Sequence, residues 1–204
     1  MADQNQELWL IRHGETAWSK TGRHTGRTDI PLTNMGRCQA ELLSDRFANQ
    51  NFGLVLSSPL SRAVETCRLA GYGSVVKLTD DLREWDYGDY EGLTTAAIRE
   101  ETADWTIWTG NPPNGETIEQ VAVRARRVIE EAKGVNGKVA LFGHAHMLRV
   151  LAASWLGFPP SAGGVLSLGT ASISILGYEH ETRAIITWNQ DWHVFRREKV
   201  CVSP

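Results

Sequence analysis

The sequence predicts an α/β protein built on a parallel-type sheet. The segment Leu8–Ile11 is an uninterrupted apolar run that ends at a short polar motif, which is typical of a strand buried on both faces. The same pattern returns at Val139–Phe142, which runs into Gly143-His144 and then into a helical segment. A further short strand, 54–58, also precedes a helix. Open α/β sheets bind ligands at the carboxyl ends of their strands, so we expect the functional residues there.

The first strand ends in the motif Arg12-His13-Gly14. A histidine next to a permanently charged guanidinium places an imidazole beside an anion-binding group. Gly14 permits a tight turn or a close approach of the backbone to a ligand. The tripeptide alone arises by chance in on the order of one chain in a hundred of this length. Its meaning therefore depends on partners elsewhere in the chain.

Length and charge limit the possible functions. The 204 residues suffice for a substantial core, and we expect one domain over 1–204 with tails at 1–6 and about 196–204. The net charge of −3 gives no reason to expect nucleic acid or an anionic membrane as a partner. An anion site must then be a local concentration of positive charge. A homo-oligomer is compatible with the sequence.

Targeting signals and metal motifs are not evident in the sequence. The N-terminus lacks the pattern of a signal peptide, and no apolar run is long enough to span a bilayer, which predicts a cytoplasmic protein. The cysteines are odd in number and form no Cys-x-x-Cys pair, which argues against a disulfide framework and a zinc site. They are Cys38, Cys67 and Cys201.

The segment 17–29 is rich in glycine, threonine and basic residues and has neither helical nor strand periodicity. Its position after the first motif favours a binding loop whose hydroxyls, including that of Ser19, amides and cations face a ligand. A plain surface loop is the alternative. Thr33 is a candidate N-cap for a helix at 36–49.

The second strand, 54–58, ends in small polar residues and is followed by a helix that begins near Pro59. Arg62 lies in the first turn of this helix. A cation there opposes the helix dipole, which slightly lowers stability. Such a local cost is expected of an arginine kept for function, although a solvated arginine would tolerate it as well.

An acidic and aromatic segment, 81–92, fits neither period and predicts an irregular loop. Carboxyl groups among Trp85 and Tyr87 would be partly desolvated, which raises their pKa and suits a general acid. The residues alone do not choose among four carboxyl groups. These are Glu84, Asp86, Asp89 and Glu91.

The remaining elements complete the predicted sheet and its helices. Residues 75–78 predict a third strand, and 94–108 predict one or two short helices. Thr117 can cap a helix that ends near Lys133. Two antiparallel strands are expected at about 171–178 and 183–188.

Three predicted strand ends thus carry cationic and imidazole side chains. Because the carboxyl ends of parallel strands share one edge, we expect Arg12, His13, Arg62 and His144 to converge. Two guanidiniums and two imidazoles form a site for a dianion, in which one imidazole can attack phosphorus while the other groups hold the oxygens.

These motifs resemble those of the histidine phosphatase superfamily, in the branch of cofactor-dependent phosphoglycerate mutases and related phosphatases. The resemblance covers about residues 8–190, and its blocks occur in the family order. The most similar pattern is that of broad-specificity acid phosphatases and sugar-phosphate phosphatases, which carry a segment like 83–88. The blocks are Arg12-His13-Gly14-Glu15-Thr16, Ser58-Pro59 before Arg62, the Glu84 loop, and Gly143-His144.

The resemblance implies a three-layer α/β/α sandwich with a largely parallel sheet and a role for each motif residue. His13 would be the nucleophile that forms a phosphohistidine. Arg12, Arg62 and His144 would bind the phosphoryl group and stabilise its transition state. Glu84 would protonate the leaving oxygen and then activate water.

Further residues are predicted to bind substrate. Thr25 and Gly26 match loop positions that touch phosphate or substrate in the family. Ala145 and His146 differ from the pair usual after the second histidine in mutases, and their backbone amides could still contribute. The complete predicted set is Ser19, Thr25, Gly26, Tyr87, Ala145 and His146.

The predicted function is hydrolysis of small phosphorylated metabolites without a metal or soluble cofactor, because arginines and histidines supply the charge stabilisation. A phosphoglycerate mutase is one alternative. Mutases of this branch carry a lysine and two arginines where this chain has Thr95, Thr109 and Gly110. A non-catalytic phospho-ligand binder is another alternative, but it would lack a motif residue, and none is missing.

A sugar-bisphosphate phosphatase is a further alternative. It would need cations that bind the second phosphate. Three arginines near the predicted site could supply them, and the sequence does not show which of them contact substrate. They are Arg23, Arg27 and Arg83.

Overall fold

The computed structural model describes residues 6–191 of the chain. Its centre is a six-stranded sheet. The strands are β1 Glu7–Arg12, β2 Phe52–Ser57, β3 Lys77–Leu78, β4 Lys138–Gly143, β5 Ile173–Glu179 and β6 Thr182–Gln190. Their order is β3-β2-β4-β1-β5-β6. Strands β1 to β4 pair in parallel, β5 is antiparallel to β1, and β6 is antiparallel to β5.

Helices connect these strands. They are α1 Ala17–Lys20, α2 Asn34–Phe47, α3 Ser61–Cys67, α4 Thr95–Glu101, α5 Ile118–Lys133 and α6 Ala145–Trp155. Helix α3 continues as a π-helical turn over Arg68–Tyr72. The predicted N-caps are confirmed, because the hydroxyls of Thr33 and Thr117 accept the N–H groups of Gly36 and Gln120.

The helices cover both faces of the sheet, because side chains along a strand alternate between its faces. Leu8 and Leu10 of β1 pack into one apolar cluster with α5 and α6. Trp9 and Ile11 point the other way, into a second cluster with residues of α2 and α3. The predicted three-layer arrangement with a mostly parallel sheet is confirmed.

The 94–108 region contains one short α-helix, Thr95–Glu101, in agreement with the prediction. Two local predictions need correction. The third strand is shorter than 75–78, because only Lys77–Leu78 pairs with β2, at an exposed edge of the sheet. The loop 17–29 begins with the single turn α1. A capping box explains this turn, in which Thr16 and Ser19 exchange bonds between their hydroxyls and backbone N–H groups.

The predicted tails lie outside the described residues, apart from Gln6. This side chain is buried, and its Nε2 donates to the carbonyls of Ala132 and Val135, so the prediction that residue 6 belongs to a tail is wrong. Cys67 is a buried free thiol, whereas Cys38 is disulfide-bonded, which the cysteine pattern does not predict. Within residues 6–191, no helix is long and apolar enough to cross a membrane.

Candidate active site

The predicted site residues meet at the carboxyl edge of the parallel strands. The register pairs Arg12, at the end of β1, with Gly143, at the end of β4. One residue further, the N–H of His13 donates to the carbonyl of Gly143 at 3.0 Å. The rings of His13 and His144 consequently lie 5.2 Å apart, measured between their centroids. Parallel pairing of β1 and β4 is what brings the two histidines together.

His13 is 5% exposed, and a contact with the next residue defines its tautomer. Its Nδ1 lies 2.7 Å from the carbonyl oxygen of Gly14. Because a carbonyl only accepts, the proton of the neutral ring is on Nδ1, and Nε2 keeps its lone pair. Burial, followed by the charges of Arg12 and Arg62, lowers the pKa of His13 well below 6.5. The ring is therefore a neutral imidazole with an available nucleophilic nitrogen.

Arg62 and His144 form a fully buried pair next to His13. Arg62 donates from Nε to Nδ1 of His144 at 3.2 Å, which leaves the ring proton on Nε2. That Nε2 donates to the hydroxyl of Ser58 at 2.8 Å. Burial and then the charge of Arg62 lower the pKa of His144 well below 6.5, so this ring is neutral as well. The hydroxyl of Ser58 belongs to the site, although the sequence singled it out only as part of a motif.

The guanidinium of Arg62 also anchors the loop that follows α1. Its Nη1 donates to the carbonyl of Thr28 at 3.0 Å, and its Nη2 donates to the carbonyls of Thr25 and Gly26, each at 3.1 Å. The N–H of Gly26 is bonded to the Glu91 carboxylate, and a Cβ at Gly26 would lie 2.4 Å from a backbone oxygen. The carbonyl of Gly26 thus helps to fix the position of the Arg62 guanidinium.

Gly14 is required by packing between elements. A Cβ on Gly14 would lie 2.2 Å from the carbonyl oxygen of Gly36, in the first turn of α2. Gly36 is equally confined, because its own Cβ would meet the carbonyl of Glu15 at 2.0 Å. The close approach predicted for Gly14 is therefore made to a helix of the same chain.

The structure separates the four candidate carboxyl groups of the acidic loop. Glu84 lines the main cavity together with His13. Asp86 forms an ion pair with Arg27, and Asp89 accepts from Asn114. Glu91 accepts the backbone N–H groups of Gly26 and Thr28. The other three carboxylates therefore have structural partners, and Glu84 is the one that faces the cavity.

The surroundings of Glu84 differ from those that the sequence predicts. Its Oε1 accepts the N–H of Met147 at 2.8 Å and that of Trp85 at 2.9 Å, and its Oε2 accepts the N–H of His146 at 3.1 Å. Two of these donors belong to the first turn of α6, where the helix dipole also favours an anion. The indole of Trp85 points away and donates to the carbonyl of Glu116. The carboxylate is therefore surrounded by backbone N–H groups and not by aromatic rings.

A cavity of about 380 Å³ opens from His13. The structure places most predicted substrate-binding residues on its wall, but not Gly26. Arg62 and His144 do not line it and are buried behind it. In residues 6–191 no group of three or more His, Cys, Asp or Glu side chains is arranged to hold a metal ion. The predicted residues on the wall are Arg12, His13, Ser19, Thr25, Glu84, Tyr87, Ala145 and His146.

One wall of the cavity consists of neutral rings. The hydroxyl of Tyr87 lies 2.6 Å from Nδ1 of His146, and the ring of His24 lies 4.7 Å from that of Tyr87. Burial lowers the pKa of His24 to about 4 and raises that of Tyr87 well above 10. Burial also lowers the pKa of His146 well below 6.5. These rings offer polar contacts but no charge near neutral pH.

Comparison with known proteins identifies the family. Residues 8–191 match the histidine phosphatase superfamily, branch 1. The chain belongs to this superfamily. It is 42% identical over 189 residues to an acid phosphatase of Mycobacterium tuberculosis, an alignment that covers 91% of this chain and 93% of the relative. It is 35% identical over 180 residues to a sedoheptulose 1,7-bisphosphatase of Saccharomyces cerevisiae, covering 72% of this chain and 66% of the relative.

Solved structures agree with this identification. A protein encoded by an open reading frame of Mycobacterium tuberculosis superposes on this histidine phosphatase with a TM-score of 0.84 at 41% identity. The alignment covers 91% of this chain and 97% of the other. The predicted family, fold and class of enzyme, a phosphatase, are confirmed.

The structure of this histidine phosphatase also places residues at the site that the sequence analysis missed. Arg99 lines the cavity, and its position one helical turn after Thr95 on α4 could have indicated this. His24 lines it too, although a single histidine in a loop gives little local signal. Arg124 contacts the Glu84 loop from α5, and only the packing of α5 reveals that contact.

Proposed function

We propose that this histidine phosphatase hydrolyses small phosphomonoesters through a phosphohistidine at His13. The observation that carries the proposal is the neutral His13 ring, which lines the cavity, has a lone pair on Nε2 and lies near the charges of Arg12 and Arg62. An imidazole in this state is a nucleophile for phosphorus, and guanidiniums stabilise the charge on the phosphoryl oxygens. The names of the relatives, an acid phosphatase and a sugar bisphosphatase, support this substrate class.

The first half-reaction transfers the phosphoryl group to the enzyme. The Nε2 lone pair of His13 forms a bond to phosphorus while the bond between phosphorus and the ester oxygen breaks. Glu84 in its protonated form gives its proton to that oxygen, which leaves as an alcohol. The Nδ1–H of His13 keeps its bond to the carbonyl of Gly14, so that the ring holds its orientation while it becomes cationic.

The second half-reaction returns the enzyme to its initial state. Glu84, now a carboxylate, accepts a proton from water as the water oxygen attacks phosphorus. The bond between nitrogen and phosphorus breaks, its electron pair returns to Nε2 of His13, and inorganic phosphate leaves. The net reaction consumes one water and yields one alcohol and one phosphate.

An unpaired donor marks where the phosphoryl group binds. The Nε of Arg12 is buried and has no hydrogen-bond partner among residues 6–191, while its Nη1 donates to the carbonyl of Leu168. A buried donor without a partner costs about 1–3 kcal/mol, and a phosphoryl oxygen would relieve that cost. Arg62 adds positive charge from behind His13, and the neutral His144 ring is held between Arg62 and Ser58.

Glu84 gives a proton in the first step and accepts one in the second. In the second step the backbone N–H groups of His146 and Met147 stabilise the carboxylate that takes the proton from water. These N–H groups therefore suit the role of Glu84 as the group that accepts a proton from water.

The test is to trap the phosphoenzyme. The wild-type protein is mixed with p-nitrophenyl phosphate, quenched under neutral or alkaline conditions, and mapped by mass spectrometry. We expect phosphate on His13, and we expect His13→Ala to lose at least about a thousandfold in kcat while it remains folded. His180, which is exposed in the turn between β5 and β6, provides the control variant His180→Ala. Full hydrolysis by folded His13→Ala would contradict the proposal.

Other features remain predictions. We propose that the chain acts as one domain in the cytoplasm, on small substrates, without nucleic acid or membrane partners. Cell fractionation and limited proteolysis check the first two statements. Sedimentation of the purified protein distinguishes a monomer from a homo-oligomer.

A further inference from the structure

Unpaired positive charge is concentrated around the cavity. Arg12, Arg23 and Arg99 all line it, and none of them forms an ion pair within the described part of the chain. Glu84 is the carboxylate on the described wall, and backbone N–H groups already surround it. The histidines on the wall are neutral and add no charge. Besides Arg12, the cavity wall therefore has two guanidiniums that lack an ion-pair partner among the described residues.

Two other arginines of this region serve a different purpose. Arg27 is paired with Asp86 and Arg83 with Asp80, so their charges are already balanced. Both line a separate hollow of about 260 Å³ on the other side of Glu84. Of the three arginines that the sequence leaves open as substrate contacts, only Arg23 faces the main cavity.

Arg23 and Arg99 belong to the same wall. Arg23 forms an antiparallel bridge with Thr94, the N-cap of α4. Arg99 lies on α4 one turn after Thr95, which also lines the cavity. The Nε of Arg99 donates to the carbonyl of Trp105 at 2.9 Å, which orients the guanidinium and leaves both terminal nitrogens available. Both arginines are exposed, as expected for groups at the mouth of the cavity.

We infer that Arg23 and Arg99 bind a second anionic group of the substrate, either a carboxylate or a second phosphate. This inference rests on the proposed function and deepens it. The cavity volume of about 380 Å³ falls within the range of small-molecule sites and exceeds what one phosphate fills. The substrate class is then a small phosphorylated metabolite whose second anion lies several bonds from the scissile ester. Paired guanidiniums suit such oxygen anions.

Matched substrates test the inference on the wild-type enzyme. The first pair is 3-phosphoglycerate and glycerol 3-phosphate, which differ by a carboxylate in place of a hydroxymethyl group. The second pair is fructose 1,6-bisphosphate and fructose 6-phosphate, which differ by a phosphate. In at least one pair, we expect kcat/KM for the substrate with the second anionic group to exceed that for the substrate without it about tenfold. The pair that shows the preference identifies which anion the site accepts. Equal values in both pairs would overturn the inference.

Variants then locate the preference. The relevant ratio is kcat/KM for the substrate with the second anionic group divided by kcat/KM for the substrate without it. We expect Arg23→Gln and Arg99→Gln each to lower this ratio about three- to tenfold, and we expect the double variant to show no preference. The ratio does not depend on the fraction of folded enzyme. Arg27→Gln removes the same charge from the same loop but from an existing ion pair, so it should leave the ratio unchanged. A preference that survives in the double variant would overturn the assignment.

A binding measurement separates this inference from the proposed reaction. His13→Ala protein cannot form the phosphoenzyme, and calorimetry with it compares the affinities for 3-phosphoglycerate and glycerol 3-phosphate, and for the two fructose phosphates, without turnover. The inference is supported if His13→Ala binds a substrate with the second anionic group more tightly than its counterpart, and if adding Arg23→Gln and Arg99→Gln removes this difference. This holds even if no hydrolysis is detected. Equal affinities in both pairs overturn it, whereas absence of hydrolysis of every phosphomonoester overturns only the proposed function.

Discussion

Arg124 and Glu116 form a two-pronged ion pair behind Glu84, from Nε to Oε1 at 2.8 Å and from Nη2 to Oε2 at 2.7 Å. Arg124 also donates to the carbonyl of Asp81 at 3.0 Å, and Glu116 accepts the N–H of Asp86 at 3.0 Å. The pair therefore holds the loop on both sides of Glu84. Because it is only slightly exposed, it is well placed to position that carboxyl group.

Loosening this pair should impair the proton transfer by Glu84. Arg124→Lys keeps the charge but loses the planar fork. We expect kcat/KM to fall about tenfold for alkyl phosphates and about two- to threefold for p-nitrophenyl phosphate, whose leaving group needs less protonation. Steady-state kinetics on both substrates check this, and Glu116→Gln should show the same pattern.

The control for this prediction lies one helical turn further along α5. Arg127 pairs with the side chain of Asp81 from a largely exposed position, and within the described residues it lacks the bonds to the carbonyls of Arg83 and Glu84 that Arg124 makes. Arg127→Lys should therefore leave the leaving-group dependence unchanged. Equal losses on both substrates in Arg124→Lys would show that the ion pair acts on folding alone.

The nucleophile should remain active well into the acid range. Burial and then the charges of Arg12 and Arg62 lower the pKa of His13 well below 6.5, so protonation that would block attack occurs only at lower pH. We expect the acid limb of kcat/KM, corrected for ionisation of the substrate, to lie well below pH 6.5. Arg12→Gln removes one positive neighbour and should move the His13 titration toward neutral pH, as followed by NMR. An acid limb at about pH 6.5 in the wild-type enzyme would contradict this assignment.

Stability should fall on acidification because of buried neutral histidines. In the unfolded chain a histidine takes up a proton near pH 6.5, whereas folded His24 does so only at about pH 4. The unfolded state thus binds more protons between these values, and the free energy of unfolding decreases as pH falls through this window. His24 alone accounts for roughly 1–3 kcal/mol.

A variant isolates the contribution of His24. His24→Phe keeps a ring against Tyr87 and Trp105 but cannot titrate. Urea unfolding at pH 7 and pH 4.5 should show a smaller loss of stability for this variant than for wild type. His180→Ala, which removes an exposed histidine, should behave as wild type. An unchanged pH dependence in His24→Phe would mean that the pKa of His24 is the same in the folded and unfolded states.

Hydrolysis should dominate over isomerisation of phosphoglycerate. Thr95 and Trp108 line the cavity, and neither they nor the following Thr109 and Gly110 supply the lysine and two arginines of the mutase branch. Each missing charge-assisted contact weakens binding of a bisphosphorylated intermediate by roughly 1.5–3 kcal/mol. With 3-phosphoglycerate and catalytic 2,3-bisphosphoglycerate, we expect release of phosphate to exceed formation of 2-phosphoglycerate. Efficient formation of 2-phosphoglycerate with little free phosphate would identify a mutase instead.

The local pattern of the chain suffices for the elements and for part of the site. Uninterrupted apolar runs predict the main strands, and apolar residues at helical spacing with capping residues such as Thr33 and Thr117 predict the helices, because neighbouring residues determine those features. The meeting of His13 and His144 also follows, since parallel strands place their carboxyl ends at one edge.

Only the packing of distant segments determines which carboxylate and which arginines face the cavity. Nothing local distinguishes Glu84 from Asp86 or Glu91, because the donors that surround the Glu84 carboxylate come partly from α6, more than 60 residues later. The same holds for Arg23, which faces the cavity, and Arg27, which is neutralised by Asp86. Such distinctions depend on which distant group fills the space next to a side chain. The sequence therefore identifies the chemistry of this histidine phosphatase, and the contacts between distant segments decide which of its charged side chains face the cavity.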